Sequence, residues 1–330
     1  MSETVLVTGA TGLIGANVAQ QLVATGDRVR ALTRPGSETE PLRRIGVEIV
    51  EGDITDAGAV AAAARQVDAV VHSAAVLGGA SQDPDEHRRV NTGWAINVLD
   101  AATAAGCRRV VVLSTSTFFD YTDAPLTETS PLAPDPPADP YTQSKRAAYV
   151  EVMRRARAGM DVCAVLPGGT FGPSPVPNRA LEAPSYNLRL LQALRGALGP
   201  QARFPIPWSY APDVAAGIRG ALERGRPGET YLTYNGADSV SSVATFLNRG
   251  LELAASPHRV TELEPDDPDL EAVVGPTLAA LARRRFPSPF FINDLTRRRL
   301  GFEPHPLDDA LAETVDWLTR TFGAGGSTAG

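Results

Sequence analysis

Thr4-Val5-Leu6-Val7-Thr8-Gly9-Ala10-Thr11-Gly12-Leu13-Ile14-Gly15 is the stretch that decides the fold. Its opening residues are β-branched or apolar and predict a short strand. Val18, Leu22 and Val23 then recur at helical spacing until Gly26. Strand, glycine turn and helix, in that order, is the context in which such spacing signifies dinucleotide binding. Gly9 permits the tight turn, Gly12 lets backbone N–H groups approach a pyrophosphate, and Gly15 allows the helix to lie close on the strand. Thr11, Leu13 and Ile14 are counted with them as cofactor contacts. The helix N-terminus turns its positive dipole end toward the phosphates. A glycine-rich turn with no ligand is the plain alternative, and the flanking strand and helix argue against it.

Working outward, a second strand runs from Arg28 to Thr33 and ends in Leu32-Thr33-Arg34. An acid at this strand end would accept from the adenosine ribose hydroxyls and select NAD(H). Arg34 instead offers a guanidinium fork for a 2′-phosphate, so NADP(H) is favoured over NAD(H). Val47 to Val50 reads as a third strand, closed by Gly52-Asp53-Ile54, and an alanine-rich helix spans about Ala57 to Arg65. Val67 to Ala75 is a fourth strand opening into a loop. Its small residues Ser73, Ala74 and Ala75 let the chain pass close to a cofactor. His72 reads as a packed or hydrogen-bonded histidine. A helix from about His87 to Ala105 precedes a fifth strand, Arg109 to Leu113. At that strand's end, where ligands of parallel sheets sit, stand the hydroxyls Ser114-Thr115-Ser116-Thr117.

Asp120 to Pro140 is proline-rich and reads as a loop. It leads to Tyr141-Thr142-Gln143-Ser144-Lys145. Lys145 is the only lysine; the rest of the Lys+Arg total of 31 is arginine. Residues four apart share one helix face, so the ammonium is expected to lower the Tyr141 pKa and make the phenol a usable proton donor and acceptor. The helix stops near Gly159, and Asp161 to Leu166 is the sixth strand. Ser174 to Pro212 is rich in proline and aromatics, with one helix around Leu188 to Leu198. A helix at Asp213 to Glu223 and a strand at Thr230 to Thr233 return the chain to the sheet. Helices at Val243 to Ala254, around Leu270 to Arg284, and at Leu307 to Phe322 complete it.

The 330 residues suffice for a large core, and 43% hydrophobic and 21% charged residues are ordinary for a globular protein. A formal net charge of −7 argues against nucleic-acid or anionic-membrane surfaces. No apolar stretch is long enough to span a bilayer. Cys107 and Cys163 read as buried free thiols, and no basic-then-apolar leader opens the chain, so a cytoplasmic location is expected. His87, His258 and His305 show no metal-ligand spacing, and Gly-x-Ser-x-Gly is absent.

With these residues in hand, the chain resembles the extended short-chain dehydrogenase/reductase family, nearest its NAD-dependent epimerase/dehydratase and dihydroflavonol-reductase-like branch. The resemblance runs from Thr4 to about Leu318. It rests on the Gly9/Gly12/Gly15 turn, Gly52-Asp53-Ile54, His72-Ser73-Ala74-Ala75, Asn91, the hydroxyl cluster, Pro140-Tyr141 through Lys145, Leu166-Pro167-Gly168 through Phe171-Gly172-Pro173, Asp213-Val214-Ala215 and Leu300-Gly301-Phe302. It implies an α/β fold: a Rossmann-type doubly wound parallel sheet with a small C-terminal substrate-binding region. The Rossmann domain would hold residues 1–173, with 210–242 returning to it. Residues 174–209 and 243–322 would bind substrate, and 323–330 would form a tail.

The resemblance further implies a Thr115–Tyr141–Lys145 catalytic set, with Ser116 the alternative if the register slips by one. Asp53 and Ile54 would contact adenine and Lys145 the nicotinamide ribose. Asn91, Ser114, Pro167 and Gly168 join the expected cofactor contacts. Leu77, Ser116, Phe118, Thr170, Tyr186 and Trp208 are the expected substrate contacts, in an apolar, aromatic cleft.

Three departures matter. Trp94-Ala95 stands where the family usually has Gly-Thr, so helix packing or the contacts of a homodimer, which the resemblance leaves open, would differ. Ser116-Thr117 replaces the Asp-Glu of nucleotide-sugar dehydratases, against 4,6-dehydration. Trp208 to Pro212 lacks the arginine that sugar-nucleotide enzymes often place there. The expected activity is therefore NADP(H)-dependent, ketoreductase-like interconversion of a carbonyl and an alcohol on a lipophilic or aromatic small molecule. A sugar-nucleotide epimerase and a non-catalytic NADP-binding sensor are the rival readings.

Overall fold

The computed structural model describes residues 2–77, 83–137 and 139–323. Seven strands form its central sheet: β1 (Thr4–Thr8), β2 (Arg28–Thr33), β3 (Glu48–Glu51), β4 (Ala69–His72), β5 (Arg109–Leu113), β6 (Val162–Leu166) and, from late in the chain, Thr230–Leu232. The last of these lies beside β6, so the order is Thr230–Leu232, β6, β5, β4, β1, β2, β3, and every pairing is parallel. Strands β1, β4 and β6 are buried along their whole length. That explains why they read as apolar runs rather than alternating ones. Helices cover both faces, with Leu22, Val214 and Ile218 in the core on one side and Val60, Leu99 and Val152 on the other.

Order reverses between β1 and β4, and their carboxyl ends there open the crevice where such sheets bind ligands. Thr8 is in register with His72 across this gap, and Thr8 Oγ1 meets His72 Nδ1 at 2.8 Å. His72 is fully buried, and burial, aided by the Lys145 charge, lowers its pKa to about 3.

Two regions differ from expectation. The helix foreseen at His87 to Ala105 is broken into Pro84–His87, a π turn at Arg88–Thr92, and a helix at Gly93–Ala105. The wide turn, of a kind concentrated at functional sites, carries Asn91. The Ser174–Pro212 stretch also hides a strand. Gly169–Phe171 (β7) pairs in parallel with Ile206–Tyr210, which pairs antiparallel with Val240–Ser241. Ile206–Tyr210 is buried throughout and contains Pro207, so it shows neither alternation nor an uninterrupted apolar run.

Around that second sheet a smaller core gathers Phe171, Leu190, Trp208, Phe246 and Leu311, with the Trp208 and Phe246 rings stacked at 3.8 Å. Leu270–Val274 and Pro276–Ala282 form two short helices where one region was expected, and Asp294–Leu300 adds a further one. The Asp120–Pro140 loop is pinned to this part of the chain. Glu128 Oε1 accepts from Thr296 N at 2.7 Å and Oγ1 at 2.8 Å, and Leu126 bridges to Phe291. The tail beyond Gly323 lies outside the described residues.

Candidate active site

Local sequence places the reactive side chains. Asp139 caps the Pro140–Arg157 helix by accepting from Thr142 N at 2.8 Å, and Pro140 occupies the first turn, where its missing N–H costs nothing. The helix therefore starts one residue before Tyr141, and Tyr141 and Lys145 fall on its inward face. On the opposite side, β5 ends at Leu113 and delivers Ser114 and Thr115 to the same cleft.

Tyr141 and Thr115 line the same cleft, with the Thr115 hydroxyl near enough to bear on the phenol. Burial pushes the Tyr141 pKa up, the nearby Thr115 hydroxyl opposes this, and the Asp139 charge adds to the rise, for a net value of about 12. The expectation that Lys145 would depress the Tyr141 pKa is thus corrected. Lys145 Nζ donates to the Leu113 carbonyl oxygen at 2.8 Å, and burial lowers its own pKa to about 8. One of the ammonium's three donors is thus taken up by β5.

Two cavities with shared lining residues follow the crevice. The smaller cavity, about 180 Å³, brings together Gly9, Thr11, Gly12, Arg34, Ile54, Ser73, Ala74 and Ala75 with Thr33, Ser37, Val76, Trp94 and Arg179. The larger cleft, about 690 Å³, brings together Leu13, Ile14, Gly15, Ser114, Thr115, Tyr141, Lys145, Pro167 and Gly168 with Leu77, Thr170 and Tyr186. Arg179, Glu182 and Arg189 complete its wall. Arg179 lies in a proline-rich stretch without periodicity, and Arg189 on the Tyr186–Leu194 helix, where nothing marked either as a cleft residue. Trp94 was visible only as a departure from Gly-Thr.

Five expected contacts lie outside both linings. Asn91 is buried and structural: its amide accepts from Val76 N at 2.9 Å and donates to Val76 O at 3.1 Å and Ser144 Oγ at 3.0 Å. It fixes the loop after β4 against the Tyr141 helix. Asp53 is exposed beside the smaller cavity, with Oδ1 accepting from Thr55 N and Oγ1. These two bonds hold its pKa below the usual carboxylate range, with the Arg34 charge a lesser cause. Ser116 lies outside both linings, near the buried Tyr234, whose hydroxyl has no hydrogen-bond partner. Phe118 packs in the core between Phe119 and Tyr149, and Trp208 is fully buried with Nε1 donating to Ser241 Oγ at 2.8 Å. The family resemblance led to the expectation that both line the cleft; here they fill cores instead.

The crevice suits a nicotinamide dinucleotide. Gly9 has φ +74°, and an added Cβ would lie 2.6 Å from Ala74 N, so the turn admits only glycine. At Gly12 a Cβ would meet nothing nearer than Gly9 O at 3.4 Å. Packing of the chain alone does not demand glycine there; a ligand lying on the turn does. Thr33 Oγ1, Trp94 Nε1 and Ser114 Oγ are buried with no hydrogen-bond partner, and all three residues line the cavities. A cofactor in the crevice would be placed to complete these three, whereas six other such atoms line neither cavity. Among the described residues, no group of three His, Cys, Asp or Glu side chains could hold a metal ion, and no helix is long and apolar enough to cross a membrane.

Fold and site together define a Rossmann-type enzyme of the extended short-chain dehydrogenase/reductase class. The chain belongs to the NAD-dependent epimerase/dehydratase family, whose model matches residues 5–235. It is 29% identical over 337 residues to the sterol demethylase protein B of Methylococcus capsulatus, covering 96% of this chain and 98% of that one. It is 36% identical over 178 residues to the 3β-hydroxysteroid dehydrogenase/Δ5→4-isomerase of Mycobacterium tuberculosis, covering 51% of this chain and 47% of that one. Among solved structures, the dTDP-glucose 4,6-dehydratase DesIV of Streptomyces venezuelae, determined with NAD bound, superposes with a TM-score of 0.76 at 26% identity, covering 97% of this chain and 98% of that one.

Proposed function

We propose that this protein is an NADP(H)-dependent oxidoreductase that interconverts an alcohol and a ketone on a lipophilic ring system of the sterol or steroid class. The observation that carries the proposal is the presence of Thr115 and Tyr141 together in a cleft walled by Val76, Leu77, Ala180, Ala183, Pro184 and Tyr186. Two hydroxyls converge where a carbonyl oxygen would sit, and the walls around them favour an apolar substrate. The names of the sterol and hydroxysteroid relatives support the same substrate class.

The NADP(H) preference is supported by the smaller cavity, where Thr33, Arg34 and Ser37 contribute hydroxyls and a guanidinium while no described lining residue is a carboxylate. The bound nicotinamide supplies or accepts a hydride. The protein's part is to hold the substrate oxygen between Thr115 and Tyr141 and to move its proton through the Tyr141 hydroxyl. A phenol kept protonated across the neutral range is ready to donate, as carbonyl reduction requires.

A second reading, a sugar-nucleotide epimerase, is favoured by one observation: Arg189, over the Tyr186 ring at 5.5 Å, lines the cleft and could pair with a diphosphate. One assay separates them. The protein is incubated with NADPH or NADP⁺ and a panel of 3-ketosteroids, 3β-hydroxysteroids, UDP-sugars and dTDP-sugars, following nicotinamide absorbance and product mass. Net cofactor turnover with steroids, faster with the phosphorylated cofactor, is the expected result. Sugar epimerisation without net cofactor consumption would overturn the proposal.

A further inference from the structure

Arg179 lines both cavities, and among the described residues it is the only one outside the sheet-forming first half of the chain that does so. It sits on a strap that leaves the Rossmann core and enters the small lobe. At the near end, Asn17 Nδ2 donates to Pro173 O at 2.9 Å, and Val176 is buried in the same core as β1. Asn178 then reaches across the crevice to donate to Glu38 Oε1, beyond β2, at 3.1 Å. At the far end, Ser185 caps the Tyr186–Leu194 helix. Between these anchors Arg179 is ion-paired with Glu182, which lines only the larger cleft.

We propose that Arg179 is a second phosphate ligand for the cofactor, opposite the Gly12 turn, and that Glu182 competes with the cofactor's pyrophosphate for it. A guanidinium bordering both cavities, whose linings also include Gly9 and Gly12, stands where the phosphates joining the two halves of a dinucleotide would pass. A guanidinium pairs with phosphate as readily as with carboxylate. Cofactor binding then releases the Glu182 carboxylate on the side of the strap that faces substrate. The inference rests on the nicotinamide-dinucleotide reading of the crevice, but not on the preference for NADP(H) or on the steroid substrate.

The test is calorimetric titration of NADPH and NADH into wild type, Arg179→Ala, Glu182→Gln, the double variant and Arg34→Ala, with melting temperatures confirming that each folds. Arg179→Ala should weaken both cofactors by the same factor, about 10-fold or more, as for a hydrogen bond to a charged group. Glu182→Gln should tighten both a few-fold, and that gain should vanish in the double variant. Arg34→Ala should weaken NADPH alone, so a failed NADP preference shows separately. Loss confined to NADPH in Arg179→Ala, no loss at all, or weakening by Glu182→Gln would each overturn the proposal. The last is what a purely structural ion pair gives.

Discussion

Lys145 Nζ donates to the carbonyl oxygen of Leu113 at 2.8 Å, binding the helix that carries Tyr141 to the strand that leads to Thr115. The lone lysine thus fixes the separation of the two hydroxyls from behind. It sits below its ordinary pKa because burial disfavours the charge, and its charge in turn helps keep His72 neutral.

A planar guanidinium does not fit a buried site built for a compact amine with one carbonyl partner. Lys145→Arg should therefore fail to restore activity, although it keeps a positive charge. Cofactor phosphates favour the ammonium form, so wild-type NADPH affinity should fall as pH rises through about 8. In Lys145→Arg the affinity should be weaker and flat over the same range. Titrations at several pH values check this; a flat wild-type profile would contradict it.

Of the two candidate hydroxyls, Thr115 lines the cleft with Tyr141, whereas Ser116 lies outside it. Thr115→Ala should lower kcat on the order of 10²-fold, as for loss of an oxyanion-type donor. Ser116→Ala should leave kcat within a few-fold and act mainly on stability. Steady-state kinetics and melting temperatures of the two variants decide the ranking.

His72 gives the protein an acid-sensitive element. Its folded pKa, about 3, lies below the ordinary 6.5. The unfolded chain therefore binds the proton first as pH falls. Its contribution to stability is complete above about pH 6.5 and is lost progressively as pH drops toward 3. Urea unfolding of wild type and His72→Asn at successive pH values should show a shallower pH slope for the variant within that window, whatever its absolute stability.

Trp208 is fully buried against Phe246. Trp208→Ala should cost about 3–5 kcal/mol of stability, as for other large-to-small changes in cores. Trp208→Phe should cost less, and KM for substrate should change little in the Phe variant. A large KM effect with unchanged stability would return Trp208 to the substrate wall.

The Rossmann half was legible because its signals are local. Glycine spacing forces the first turn, apolar runs mark strands buried on both faces, and Asp139-Pro140 starts the helix at the one place that presents Tyr141 and Lys145 inward. Each depends on residues within one or two turns of one another, so the sequence by itself determined that this is a dinucleotide-binding α/β chain with a Tyr–Lys pair. Direction and partner were decided only in three dimensions. Whether Lys145 reaches Leu113 depends on where β5 ends, 32 residues earlier in the chain. Whether Trp208 and Phe118 wall a cleft or fill a core depends on what packs over them, and Pro207 hid the strand that buries Trp208. Arg179 reaches the cofactor crevice only because its strap is pinned at Asn17, Val176 and Glu38, far away along the sequence. Such contacts leave no periodic mark, because they are set by chain closure rather than by local backbone geometry.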